Sequence, residues 1–160
     1  MIDEIPNAGF FTKRISESDI RDLYTVTNEI CDISLKKIKK KSRKFKIARL
    51  VPSQARSNNL LQSSNVASEE LVLAYGNLFV QISSQSGSDE IINIVRNVND
   101  RIHYFRLLEC QLLEDTDKTF MQLSQLYFDG NIEDLGHELE VYFKTRTDLI
   151  PDLIDLIRQK

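Results

Sequence analysis

The sequence predicts an all-α fold: an antiparallel bundle of six to seven helices, preceded by a short β remnant at the N-terminus. Three observations carry that expectation. Apolar residues recur at i, i+3, i+4 spacing in segment after segment beyond residue 15. No stretch there alternates as a half-buried strand would. Short polar turns separate helical segments of similar length, and connections that short pack consecutive helices as antiparallel neighbours. The chain has 160 residues, 41% of them hydrophobic, which is one domain's length with enough apolar side chain for a core. The expected division is residues 1–15 as strand remnant and linker, and residues 16–160 as the helical domain.

The opening "IPNAGFFTKRISESDIRDLY" reads as a turn, a short aromatic strand and a capped helix. Pro6 to Gly9 carry turn chemistry, because Pro presets φ while Asn and Gly tolerate positive φ. Ile2, Ile5, Phe10 and Phe11 supply apolar residues on either side, and a lone hairpin of this size is marginal in water. Ser16 or Ser18 then offers an N-cap with acids in the first turn. Ile20, Leu23, Tyr24, Thr27, Ile30, Cys31, Ser34, Leu35 and Ile38 give a long first helix ending in or just beyond a basic run, Lys36 to Arg49. A helix near Pro52 is expected between polar loops.

Ser68 is expected to cap the next helix, with Glu69 and Glu70 complementing its positive end and Leu71, Ala74, Tyr75, Leu78, Phe79 and Ile82 forming its stripe. Gly87 should close it and Ser88 should cap the following one. That helix carries Ile91 to Leu108 along one side, reaches about Leu113 and is expected to be central. "EDTD" restarts the pattern, leading through Phe120 and Leu123 to a turn at Asp129 to Asn131. Asn131 caps a helix with Leu135, Leu139, Tyr142 and Phe143. A last segment begins near Ile150 with Pro151 in its first turn.

Composition excludes several classes of function. No apolar run approaches the roughly 20 residues of a membrane span, and the acidic N-terminus is unlike a secretory signal. Cys31 and Cys110 lack metal spacing and are expected to be reduced, which places the protein in the cytoplasm. The net charge of −3 offers no general attraction to nucleic acid. The run from Lys36 to Arg49 could track phosphates, but with no aromatic residue interleaved except Phe45 it reads first as a solvated helix end. There is no Gly-rich phosphate loop, HExxH or nucleophile elbow, so no enzyme is expected. Arg101 and Arg106 could clamp an anion with a planar fork, or pair with Asp100 or Glu109 at the surface.

Three segments together resemble a known family. "IPNAGFFTKRISESDIRDLYTVTNEI" looks like the junction in GntR-superfamily transcriptional regulators of the FadR branch, where the wing of a winged helix-turn-helix leads into a helical effector-binding (FCD-type) domain. "LFVQISSQSGSDEI" is similar to that domain's Phe-His, then Ser-Gly-Asn stretch. "LSQLYFDGNIEDLGHELEVYFKTRTDLIPDL" is similar to its last helix pair. The resemblance implies a cytoplasmic, homodimeric ligand-sensing domain of a bacterial transcriptional regulator that acts on DNA only through an N-terminal reading domain. The strand remnant would then be the end of a wing whose body lies upstream.

Many members of the family hold a divalent metal with an Asp, a His four residues on and two later histidines. The matching positions here are Gly76, Val80, Phe120 and Tyr142, which cannot make such a site. The expectation is therefore no metal and no cofactor. A first-helix Arg of the family is replaced by Thr27. The resemblance brings Thr27, Asn77 and Tyr142 to the effector pocket, beside Arg101 and Arg106 as candidate cations. Three states of the interior stay open: a largely apolar pocket, which is favoured; a pocket using other cations; or a core filled by side chains. A stand-alone helical interaction module that binds no effector is the alternative function.

Overall fold

The computed structural model describes residues 3–4, 10–11, 16–40 and 64–159. The turn expected at Pro6 to Gly9 and the helix expected near Pro52 lie outside the described residues, as does the basic run beyond Lys40. Two short strands, β1 (Asp3–Glu4) and β2 (Phe10–Phe11), pair antiparallel, with Asp3 opposite Phe11 and Glu4 opposite Phe10. Everything described from residue 16 onward is helix or the turns between helices.

The first helix, α1 (Glu17–Lys40), starts at Ser16. The Ser16 hydroxyl accepts from the Asp19 amide at 3.1 Å while Asp19 Oδ2 accepts from the Ser16 amide at 2.8 Å. This reciprocal arrangement satisfies two donors that a helix start leaves open. The second helix, α2 (Ser64–Ser84), begins a full turn before the Ser68 cap that the sequence suggests. No Gly or Pro interrupts residues 64–68, so the backbone continues helical through Ser68, and a capping residue type becomes an interior one.

At Gly87, φ is +73°, which ends the turn after α2. Ser88 then caps α3 (Asp89–Leu112), its hydroxyl accepting from the Ile91 amide at 3.4 Å. The next helix, α4 (Thr116–Asp129), closes on Gly130 at φ +71°, where the Asn131 amide reaches back to the Leu126 carbonyl at 3.0 Å. Asn131 caps α5 (Ile132–Asp148) through Asp134. Leu149 alone separates α5 from α6 (Ile150–Arg158), which has Pro151 in its first turn.

The centre of the packing is α1, which touches α2, α3, α5 and α6. This corrects the expectation for α3, which packs on α1, α2 and α6. On α1, Ile20, Leu23, Tyr24, Thr27, Ile30, Cys31, Ser34 and Leu35 are all buried, a broad face that serves several neighbours at once. Both helices also leave apolar residues exposed, Val26 and Ile33 on α1 and Ile94 and Leu112 on α3, so their rank follows from how the chain closes around them. Tyr75, Leu78, Phe79 and Ile82 of α2, Ile102 and Phe105 of α3, and Leu135, Leu139 and Tyr142 of α5 complete a single core. Among the described residues no helix is long and apolar enough to cross a membrane.

Candidate functional site

The core contains charge. Among the buried residues described, three side chains are ionisable acids or bases of the Arg and Glu type: Arg106 and Glu109 on α3, and Arg146 on α5, each no more than 4% exposed. Their positions follow from helix periodicity. Glu109 lies four residues beyond Phe105 and seven beyond Ile102, on the apolar stripe of α3, and Arg146 lies seven beyond Leu139 on that of α5. Burying either alone would cost several kcal/mol. They are therefore paired: Arg146 Nε donates to Glu109 Oε2 at 3.2 Å. The Tyr24 hydroxyl of α1 donates to the other carboxylate oxygen, Oε1.

Arg106 is held differently. Its Nη1 donates to Asn99 Oδ1 at 2.9 Å, and Asn99 Nδ2 donates to the Gly76 carbonyl at 3.0 Å. The guanidinium also lies over the Phe79 ring, 5.0 Å from its centroid, as Arg146 lies over Tyr142 at 4.4 Å. Gly76 packs beside this arrangement: a Cβ there would stand in ordinary van der Waals contact, 3.4 Å from Asn99 Nδ2 and 3.9 Å from Arg106 Nη1. The aromatic floor is continuous. Tyr75 stacks on Tyr142 with centroids 5.3 Å apart and meets Phe120 edge-on at 5.1 Å, while its hydroxyl donates to the Thr116 carbonyl at 2.6 Å.

Two guanidiniums thus face one carboxylate, and the donors are not all used. Arg106 Nε, Arg106 Nη2 and Arg146 Nη2 are buried with no hydrogen-bond partner among the described residues. An unmet buried donor costs about 1–3 kcal/mol, more when charged. The electrostatics reflect the same crowding. Burial pushes the Glu109 carboxyl above its ordinary range, against the pull of Arg146 and of the Tyr24 hydrogen bond. Burial, and then the charge of Glu109, pushes the Tyr24 hydroxyl well above its ordinary value. For Tyr142, burial and Glu109 push the phenol up to about 12, with the two arginines pulling the other way. Desolvation pulls Arg146 down, yet Tyr142 and Glu109 hold it above its usual value.

The residues expected at a site divide in two. Arg106 and Tyr142 belong to this cluster. Thr27 is buried as well, but its hydroxyl proton is committed to the Leu23 carbonyl at 2.9 Å. Asn77 and Arg101 are solvent-exposed and lie apart from the cluster, which corrects their placement in a pocket. Asn77 is two residues from both Tyr75 and Phe79, hence roughly 200° around the helix from each inward side chain. Arg101 stays hydrated and avoids the desolvation that Asn99 and Phe79 offset for Arg106. The expectation of a largely apolar pocket is corrected too: Asn99 and Arg106 lie against Gly76, aromatic rings pack on Phe120 and Tyr142, and the guanidinium of Arg146 covers Tyr142. Glu109, expected at the surface, is buried and pairs with Arg146 rather than with Arg101 or Arg106. Glu109, Arg146 and Tyr24 are the site residues that sequence reasoning missed, and the available signal was opposite charges on the apolar stripes of two helices.

Among the described residues no three His, Cys, Asp or Glu side chains come together as a metal site. His103 Nε2 lies 2.7 Å from Glu69 Oε1, and His137 is exposed. Two clefts open near the cluster. One, of about 550 Å³, runs between the start of α2 and the α3–α4 turn, with Leu71, Ala74, Leu113, Phe120 and Met121 in its walls. The other, of about 280 Å³, lies between α4 and α5, with Tyr142 and Arg146 in its lining. Comparison with known protein families, with curated proteins and with solved structures finds no match to this chain.

Proposed function

We propose that this chain is the ligand-sensing and dimerisation domain of a bacterial transcriptional regulator, and that it binds a small carboxylate-bearing effector in a metal-free site built on Arg106 and Arg146. The resemblance to the FadR branch of the GntR superfamily supports the class of protein, with the strand pair β1–β2 read as the end of a wing. The observation that carries the ligand is the imbalance in the core: two buried guanidiniums, one carboxylate and three unmet N–H donors. A carboxylate accepts from such donors in bidentate geometry and restores neutrality. Signal transfer then has a route. Tyr24 ties α1 to Glu109, so an anion that draws Arg146 away from Glu109 alters the charge on the carboxylate to which α1 is bonded. A ligand favouring one helix arrangement shifts the population toward it and moves the paired reading heads.

A second reading, a helical interaction module without effector, is favoured by the larger apolar cleft and by Met121 at its edge, 62% exposed. Thermal melts separate the two. Small mono-, di- and hydroxycarboxylates are screened with and without chelator, and light scattering measures the oligomeric state. The sensor reading expects a dimer, a rise in melting temperature with at least one carboxylate, its loss in Arg106→Met, and no effect of chelator. A monomer indifferent to every anion refutes it.

A further inference from the structure

The larger cleft, about 550 Å³, is built by three elements that each bring small or apolar side chains and one acid. On α2, Ala67, Leu71 and Ala74 fall at i, i+4 and i+7 on one face of the helix, and Glu70 lies on the same side. The end of α3 and the turn after it give Cys110, Leu113 and Glu114 at i, i+3 and i+4, and the start of α4 gives Asp117, Phe120 and Met121 at the same spacing. Alanine at 67 and 74 keeps the α2 wall low. The polar groups of Thr116 are committed elsewhere, its hydroxyl donating to the Leu113 carbonyl at 2.9 Å and its carbonyl accepting from the Tyr75 hydroxyl at 2.6 Å.

The charges around this cleft are all of one sign. Among the described residues no Lys, Arg or His lines it. Glu70, Glu114 and Asp117 are exposed at its edge, and neither Glu70 nor Glu114 forms an ion pair among the described residues. Lys118, the cation next along the chain from Asp117, engages Asp115 instead at 2.6 Å. Apolar walls with three carboxylates at the mouth suit an occupant with a hydrocarbon body and one positive end. The body takes the walls out of water, and the charge relieves the repulsion among the acids. A neutral occupant gains only the first, and an anion is repelled.

We propose that this cleft binds a small organic amine in its protonated form, the ammonium held at the acidic mouth and the hydrocarbon lying on Leu71, Leu113 and Met121. Its volume falls within the range of small-molecule clefts, about 300–1,000 Å³. Neither Arg106 nor Arg146 lines it, so the proposal stands apart from the sensor reading. The apolar walls define the site, and the charge at its mouth selects among occupants of one shape.

Three compounds sharing one body test this on the whole chain: 4-phenylbutylamine, 4-phenylbutanol and 4-phenylbutanoate. Cys110 in the wall reports occupancy, because it is half-buried whereas Cys31 is buried. An occupant slows its alkylation by iodoacetamide, and mass spectrometry locates the label. By calorimetry the amine is expected to bind roughly tenfold more tightly than the alcohol, and to lose that advantage as salt rises. At saturation it should slow alkylation of Cys110, while the carboxylate leaves that rate unchanged whatever it does at the arginine cluster. The double variant Glu70→Gln/Glu114→Gln, at two exposed positions, should remove most of the amine's advantage and leave the alcohol's affinity as it was. Met121→Ala should weaken amine and alcohol alike. Equal affinity of amine and alcohol, an amine that leaves Cys110 alkylation unchanged, or a double variant that keeps the full preference overturns the site, as does an amine that does not bind.

Discussion

Removing one partner of the Glu109–Arg146 pair is the perturbation that most directly tests the account of the core. The two side chains are 2% and 4% exposed and meet at 3.2 Å. At an effective dielectric of about 20 two unit charges at that distance attract by about 5 kcal/mol. Breaking a buried pair from one side costs about 3–5 kcal/mol, because the remaining charge keeps its desolvation penalty without its partner. Arg146→Met leaves Glu109 with the Tyr24 hydroxyl as its hydrogen-bonding partner, and Glu109→Gln leaves two guanidiniums in one core with no counter-charge. Either change would remove about a fifth or more of the stability of a typical domain, about 5–15 kcal/mol. The double variant Glu109→Gln/Arg146→Met should cost less than the two single changes added together, by at least about 2 kcal/mol, since it removes both charges. Urea titrations followed by circular dichroism measure all three, and Arg146→Lys supplies a charge-retaining control if a single variant does not fold. Additive effects of under about 1 kcal/mol each would show that the pair is hydrated and not part of the core, and the sensor reading would lose its foundation.

Tyr24→Phe removes the hydroxyl that donates to buried Glu109 and should cost about 1.5–3 kcal/mol in the same titrations, the range for a hydrogen bond to a charged group. Gly130→Ala meets no atom within 4 Å, so its cost is the left-handed backbone at φ +71° alone, about 1–2 kcal/mol, and Gly130→Asn should recover part of it. Alkaline unfolding should show the Cys31 thiol, which burial pushes up to about 12, with Arg106 opposing and Asp32 assisting. Because the folded value is raised, the contribution is whole below the ordinary thiol range and is lost as pH climbs to about 12. By then the loss is about 4 kcal/mol. Melting temperatures of Cys31→Ala between pH 9 and 12 should therefore fall less steeply than those of the parent, and equal slopes would refute the burial argument.

The helices were legible where stripe and stop signals agreed. Ser88, Gly130 and Asn131 mark boundaries because each performs a backbone task that few residues perform: a hydroxyl or amide at an open N–H, or a positive φ. Ser68 misled for the same reason in reverse. A capping residue type followed by two glutamates is the signature of a start, yet nothing before it breaks the helix, and continued backbone bonds outweigh a local cap. The rank of α1 over α3 in the packing could not be read from the stripes alone, because both are long and apolar, and which one is shared by four neighbours depends on how the chain closes.

The site was half legible, and the missing half has a physical explanation. Periodicity placed Tyr142 on an apolar stripe, and Arg106 was one of two arginines that could reach inward or pair at the surface; a charge is ordinarily assigned to water, since a single residue gives no hint of the partner that makes burial possible. Glu109 and Arg146 are 37 positions apart, and neither is intelligible without the other. Seen together with Tyr24 they explain features that otherwise have no common cause: a buried phenol aimed at a carboxylate, and a guanidinium lying on a tyrosine ring. Asn99 and Phe79 hold Arg106 near the pair without neutralising it. An evolved core that sought only stability would replace the three charges with hydrocarbon, which is often neutral or stabilising. The surplus guanidinium donors, Arg106 Nε, Arg106 Nη2 and Arg146 Nη2, are the groups that the anion site proposed above would use.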